Sequence, residues 1–255
     1  IDAAIAMAFV LPICEPQSTG LFGDVFAMVK LSNSSTITGL NGSGKAPIQI
    51  SAEKLRARGL SSIPEDGVES ITMPGAVLAL ESLNQKFGKM DLAELCQPGI
   101  HYANNGVIVS PRVAFDWNYS YRNLKKAAKD FYLKNNKPYS LGSIFRSPGQ
   151  AEVLKKIAMY GSKGFYEGEV AHDFISSLSN LGGIHTFDDL GAVSVEYVKP
   201  CILNFNNYEL HEMPPNGQGI TAILMTKMLQ KFGLSSFDPI STERAHIEAE
   251  VSKLA

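Results

Sequence analysis

The residues LNGSGKAP, positions 40–47, gather polar groups suited to meeting a small molecule. Gly42 and Gly44 reach conformations other residues resist, and a backbone lacking Cβ leaves room for a ligand or another chain. Asn41 is of the type that bonds the backbone two positions on, which would hold such a loop in shape. Lys45 is a lone cation before Ala46-Pro47. If the loop edge stays extended, Ser43 and Lys45 point to one face, because alternate side chains of an extended chain do so. The plain alternative is a lysine that simply faces water.

Elsewhere the chemistry-bearing residues do not assemble. GLFGD, residues 20–24, lacks the full GxGxxG of a dinucleotide loop, and the chain has neither a GxSxG elbow nor a phosphate-binding P-loop. Glu65, Asp66 and Glu69, and the pair Asp188 and Asp189, read as helix-cap or surface carboxylates. Gln17, Ser18 and Thr19 read as turn formers that are also placed to line a cleft. Cys14, Cys96 and Cys201 are widely spaced without a CxxC pair, so each reads as a small buried hydrophobe. The histidines show no metal-ligand spacing, and no metal or organic cofactor is implied.

The 255 residues carry a formal net charge of −2, which gives no basic surface for nucleic acid. Lys54, Arg56 and Arg58, and then Arg122, Lys125, Lys126 and Lys129, read as solvated helix faces. No segment approaches the roughly eighteen apolar residues of a transmembrane helix. The opening IDAAIAMAFVLPIC lacks a positive start and carries Asp2, unlike a signal peptide. It begins in mid-pattern without methionine, so the N-terminal start is expected to be missing, with a cytoplasmic location expected over a secreted one.

The positioning elements follow from periodicity. Ile1, Ile5, Ala8 and Phe9 mark a helix closed by Pro12. Val25–Leu31 and TITGL form a hairpin that delivers the chain to the loop. Ser51 starts a short helix. Ser110-Pro111 opens a helix carrying Val113, Trp117, Tyr121, Leu124, Ala128 and Phe131, and Ser147-Pro148 opens another that ends at Gly161. A further helix carries Val170, Phe174, Leu178 and Leu181. Segments 193–205 and 208–213 are expected strands, PPNGQG a turn, and ITAILMTKMLQKFG a helix. Between β-containing ends lies a helix-rich middle, roughly 50–190. That order predicts one α+β domain spanning 1–255, with a sheet built from distant segments.

A longer pattern is carried by phrases in a fixed order: DAAIAMAFVLPICEPQSTGLFGDVFAMV, GLNGSGKAP, ITMPGAVLALESLNQKFGKMDLAELCQPGIHYANNGVIVS, IAMYGSKGFYEGEVA, GGIHTFDDL, PPNGQGI and HIEAEVSKLA. Together they resemble the large-subunit region of the gamma-glutamyltranspeptidase family over nearly the whole chain. The resemblance implies an N-terminal-nucleophile hydrolase fold, an αββα sandwich, of which this chain is the large-subunit part. It also implies a precursor that cleaves itself, freeing a threonine whose own amine serves as base. That threonine opens a small subunit beyond HIEAEVSKLA, so no catalytic residue is expected within this chain and the small subunit is its implied partner. A higher oligomer is compatible with this and not implied.

The same resemblance gives the loop its task. Transpeptidases of the family carry an arginine where this chain has Ser43, and its fork grips the α-carboxylate of a γ-glutamyl group. Ser43 cannot form that bidentate pair, and Lys45 offers only a point charge to an acidic substrate group. Asn41, Ser43, Gly44 and Lys45 are therefore the candidate substrate-binding residues, in a divergent, transpeptidase-like branch. Glu15 reads as an internally bonded carboxylate, and PPNGQG as a turn shaping the core. The expected activity is hydrolysis or acyl transfer on γ-glutamyl or related acyl amides. Two alternatives stand beside it: an acylase for another acyl group, such as a β-lactam side chain, and a non-catalytic relative.

Overall fold

The computed structural model describes the backbone of residues 1–255 and every side chain except that of Lys126. In chain order the elements are α1 (Asp2–Cys14), β1 (Val25–Lys30), β2 (Ile37–Gly42), α2 (Ala52–Ala57), α3 (Ala76–Phe87), α4 (Leu92–Asn105), β3 (Val107–Ile108) and α5 (Pro111–Ser120). They continue with α6 (Lys126–Tyr132), β4 (Leu133–Lys134), β5 (Lys137–Pro138), β6 (Ile144–Phe145), α7 (Pro148–Tyr160), α8 (Lys163–Tyr166), α9 (Gly168–Asn180) and α10 (Phe187–Gly191). The last are β7 (Glu196–Val198), β8 (Cys201–Phe205), β9 (Tyr208–Glu212), α11 (Gly219–Leu229) and α12 (Thr242–Leu254). Helices fill the middle and β-structure lies towards both ends, which is the α+β order read from the sequence.

The chain forms two compact units, one of Ile1–Asp24 with Gly44–Ser194 and the other of Val25–Ser43 with Val195–Ala255. In the first, α4 packs on α1 and α7. A Cβ at Gly99 of α4 would lie 2.8 Å from both Leu154 Cδ1 and the Phe9 carbonyl oxygen, so glycine is what lets these helices approach. Phe9, Leu95, Cys96 and Leu154 are buried at that junction. A second cluster joins Val109, Val113, Trp117 and Phe145, with Tyr132 and Tyr139 packed against it. A third joins Met73, Ala171, Ile175 and Leu190.

In the second unit the sheet order is β1-β2-β7, all antiparallel, with β2 in the centre. Leu40 of β2 is fully buried. Gly39 has no room for a side chain, since a Cβ there would stand 2.9 Å from Met213 Sδ and Val198 Cγ2. β8 and β9 form a hairpin whose turn places Asn206 at φ +53°, and α11 packs on both strands.

Three details differ from the sequence reading. α1 does not stop at Pro12 but runs to Cys14, because a proline near a helix end removes one hydrogen bond while its φ stays helical. The helix expected from 111 to 131 breaks after Ser120 and resumes at Lys126. A continuous helix would separate residues 117 and 132 by about 22 Å. The break folds Tyr132 back until its ring lies 6.0 Å from that of Trp117 and 5.8 Å from that of Phe145. Aromatic burial wins over an unbroken helix. The expected strand 193–205 divides into β7 and β8 at Lys199-Pro200, where proline has no N–H for a ladder.

Candidate functional site

β2 carries the chain to Gly42, and the loop read from the sequence follows without regular structure. Asn41 Oδ1 accepts the Ser43 N–H at 3.0 Å, the Asx-type bond its residue type foretold. Its Nδ2 donates to Asn216 Oδ1 at 2.8 Å. The Asn41 amide thus works at both ends as a structural tie. Asn216 belongs to PPNGQG, so that turn is fastened to the β2 end of the loop. Sequence reasoning missed this pairing because 175 residues separate the two asparagines. The half-buried Ser43 hydroxyl has no hydrogen-bond partner among the described residues.

Gly44 and Lys45 are held by the Asp24 side chain and by backbone of the segment leading into α3. The Gly44 N–H donates to Asp24 Oδ1 at 2.8 Å, and the Met73 N–H donates to the Lys45 carbonyl oxygen at 2.9 Å. A Cβ at Gly44 would overlap the Met73 carbonyl oxygen, so this position demands glycine for close approach and not for an unusual φ. Gly23, in the GLFGD segment, accepts both the Gly75 and the Ala76 N–H at 3.1 and 3.0 Å, satisfying donors at the start of α3. Tyr166 donates its hydroxyl to the Pro74 carbonyl at 2.8 Å and accepts the Leu78 N–H at 3.2 Å. Burial pushes its phenol well above the ordinary range, opposed in part by the Leu78 N–H. The phrases GLFGD, MPGAV and FYEGEVA therefore meet in one bracket under Gly44.

Downstream of Lys45, Asp189 Oδ1 accepts the Ile48 N–H at 2.9 Å. Asp189 also completes a capping box with Thr186 at the start of α10. Burial acts to raise its carboxyl, but the Ile48 N–H, Thr186 and nearby His185 outweigh it and hold it below the usual range. Of the two readings open for this carboxylate, helix cap or surface group, the structure shows the cap, with the loop's exit as a second client. The Lys45 side chain itself is exposed, and among the described residues its ammonium has neither ion pair nor hydrogen bond. It is a free cation on a backbone fixed from two directions.

The remaining candidates do other work. Gln17 Oε1 accepts the Trp117 indole N–H at 3.0 Å, so Gln17 serves the aromatic cluster. Thr19 lines a cavity of about 780 Å³ in the first unit, together with Gly20–Gly23, Gln150, Lys156 and Glu169. Asp66 pairs with Lys125 at 2.7 Å on the surface, and the largely covered Glu69 pairs with Arg58. Desolvation drives the buried Cys96 thiol up to about 12, the behaviour of an inert core residue. Among the described residues no three metal-ligating side chains converge, and no helix is long and apolar enough to cross a membrane.

The family model for gamma-glutamyltranspeptidase matches residues 1–255. The chain is 30% identical to the glutathione hydrolase-like YwrD proenzyme of Bacillus subtilis, over 99% of this chain and 48% of that protein. It is 27% identical to the glutathione hydrolase proenzyme of Escherichia coli, over its full length and 45% of the relative. The chain thus spans about half the length of the curated relatives it matches. Among solved structures, Helicobacter pylori gamma-glutamyltranspeptidase superposes with a TM-score of 0.91 at 28% identity, covering 99% of this chain and 74% of that one. A cephalosporin acylase from Bacillus halodurans superposes with a TM-score of 0.90 at 32% identity, covering 99% and 48%. The fold is accordingly that of N-terminal-nucleophile hydrolases of this type.

Proposed function

This chain belongs to the gamma-glutamyltranspeptidase family, and from that premise we propose that it is the large-subunit share of an amide hydrolase or acyltransferase. The nucleophile is a threonine on a small subunit released from the same precursor, so these residues supply scaffold and binding wall instead of the attacking group. The threonine hydroxyl attacks the amide carbonyl and its own α-amine takes the proton, which passes to the departing amine as the C–N bond breaks; the acyl-enzyme then gives its acyl group to water or to an acceptor amine, freeing the hydroxyl. Preorganised N–H donors for the oxyanion come from the other half. Kinship with proteins named proenzymes supports the two-part architecture.

Asn41, Ser43, Gly44 and Lys45 form this chain's contribution to the acyl pocket, with Lys45 as the anchor for an acidic group on the acyl chain. The observation that carries this reading is the unpaired Lys45 ammonium on a rigidly fastened loop, beside a Ser43 that cannot supply an arginine fork. A single point charge reads a carboxylate without enforcing the α-amino acid geometry of a γ-glutamyl group. This favours a second reading, an acylase taking simple dicarboxylic acyl groups, to which the 32% identity with a cephalosporin acylase adds weight.

The test uses a polypeptide carrying these residues together with the downstream half. Intact mass and N-terminal sequencing should find a second fragment beginning with threonine. Rates are then compared on γ-glutamyl-p-nitroanilide, glutaryl-p-nitroanilide and butyryl-p-nitroanilide. Both acidic amides should outrun the neutral one, and Lys45→Ala should erase that margin by raising KM about tenfold, the loss of one charge-assisted contact. An uncleaved chain without hydrolysis would refute the enzyme reading. An unchanged margin in Lys45→Ala would refute the anchor alone.

A further inference from the structure

We infer that Asp24 is the positioning residue of the Lys45 loop, acting through the Gly44 peptide to set where the ammonium is presented. This rests on the reading of Lys45 as the substrate anchor. Asp24 directly follows Gly23, whose carbonyl accepts the Gly75 and Ala76 N–H groups, so its backbone is already tied to the start of α3. Its Oδ1 then accepts the Gly44 N–H at 2.8 Å. From the opposite side the Met73 peptide seats the same loop: its carbonyl fills the space a Gly44 Cβ would need, and its N–H bonds the Lys45 carbonyl at 2.9 Å. The Gly44 peptide is clamped between a carboxylate and a backbone that Gly23 itself locates through α3.

Of the members of this clamp, Asp24 alone acts through its side chain, so it alone can be removed by substitution without altering the backbone. Met73, Gly23 and Gly44 contribute peptide groups or the absence of a Cβ. The residue before a flexible cation's own backbone matters because a lysine ammonium sits on a long stem, and its reach is set by where that stem is rooted. A loop free to shift by about an ångström would spread the charge over several positions and weaken recognition without touching the distant nucleophile. Asp24 never contacts the substrate in this scheme.

The experiment pairs kinetics with hydrogen exchange on the full two-part protein. Asp24→Ala should speed exchange of the Gly44 amide at least tenfold and raise KM for glutaryl-p-nitroanilide about tenfold with kcat largely kept. Asp24→Asn keeps a carbonyl oxygen at the same place and should restore both values to near wild type. An unchanged Gly44 amide in Asp24→Ala overturns the inference. So does an Asp24→Asn variant as impaired as Asp24→Ala, since charge and not the hydrogen bond would then be at work. If Lys45→Ala leaves KM untouched, the anchor reading fails and with it any role of Asp24 in presenting the ammonium, and exchange of the Gly44 amide alone then reports whether Asp24 braces the loop. If Lys45→Ala raises KM and Asp24→Ala does not, the brace is wrong and the anchor stands. Far-UV circular dichroism and thermal melts of each variant report on folding.

Discussion

Asp189 shows how one carboxylate serves two neighbours. Its Oδ1 takes the Ile48 N–H while its Oδ2 takes the Thr186 N–H and hydroxyl, so both oxygens are committed and the ionised form is favoured. Because the folded state depresses this carboxyl below its ordinary value, its stabilisation is present above the unfolded value, about 3.9, and disappears as pH falls through the lower folded value. Asp189→Asn should therefore lower stability at neutral pH and flatten the acid limb of the stability profile. Urea unfolding at pH 7 and pH 3 checks this, the gap between the two proteins narrowing at the lower pH. Such residues were legible in part. A capping Asp is visible as Thr-x-x-Asp, and the Asn41 bond to Ser43 spans two positions, so local sequence contains both. Asp24's hold on Gly44 and Asn41's on Asn216 join residues 20 and 175 positions apart, and no local propensity encodes them.

At the scale of elements the same divide between near and far applies. The β1–β2 hairpin was readable because a short turn fixes its register. The interruption between α5 and α6 was not, because Val113, Trp117, Tyr121, Leu124, Ala128 and Phe131 keep a helical period straight through it. What decides the matter is Phe145, only 1% exposed, around which Trp117, Phe131, Tyr132 and Tyr139 place their rings at 5.2–5.8 Å. Removing that ring leaves a cavity at the centre of the cluster. Phe145→Ala should cost about 3–5 kcal/mol of stability. Trp117 is the chain's single tryptophan, so its emission reports the loss without labelling. A red-shifted spectrum in the native baseline would accompany the lower urea midpoint.

For the whole molecule, the telling fact is that both units are assembled from separated stretches. β2 is the central strand of its sheet, and one of its neighbours, β7, lies beyond the entire helical middle. Ending the chain after Ser194 would remove β7 and leave the β2 edge from Gly39 to Asn41 without its ladder. Unpaired edges of this kind recruit other chains. Size-exclusion chromatography with light scattering should find that fragment more self-associated than the 255-residue chain, and a fragment no larger in assembly would contradict the assignment.

That sheet also has a schedule. Asn41 leaves the ribosome some 155 residues ahead of Glu196, its ladder partner. At about 5–20 residues per second, β2 waits on the order of 8–30 s before its second neighbour exists. Through that interval a two-stranded ribbon, marginal on its own, presents Phe26 and Met28, side chains still partly exposed in the finished fold. The newborn protein thus has a window of vulnerability written into its order of synthesis.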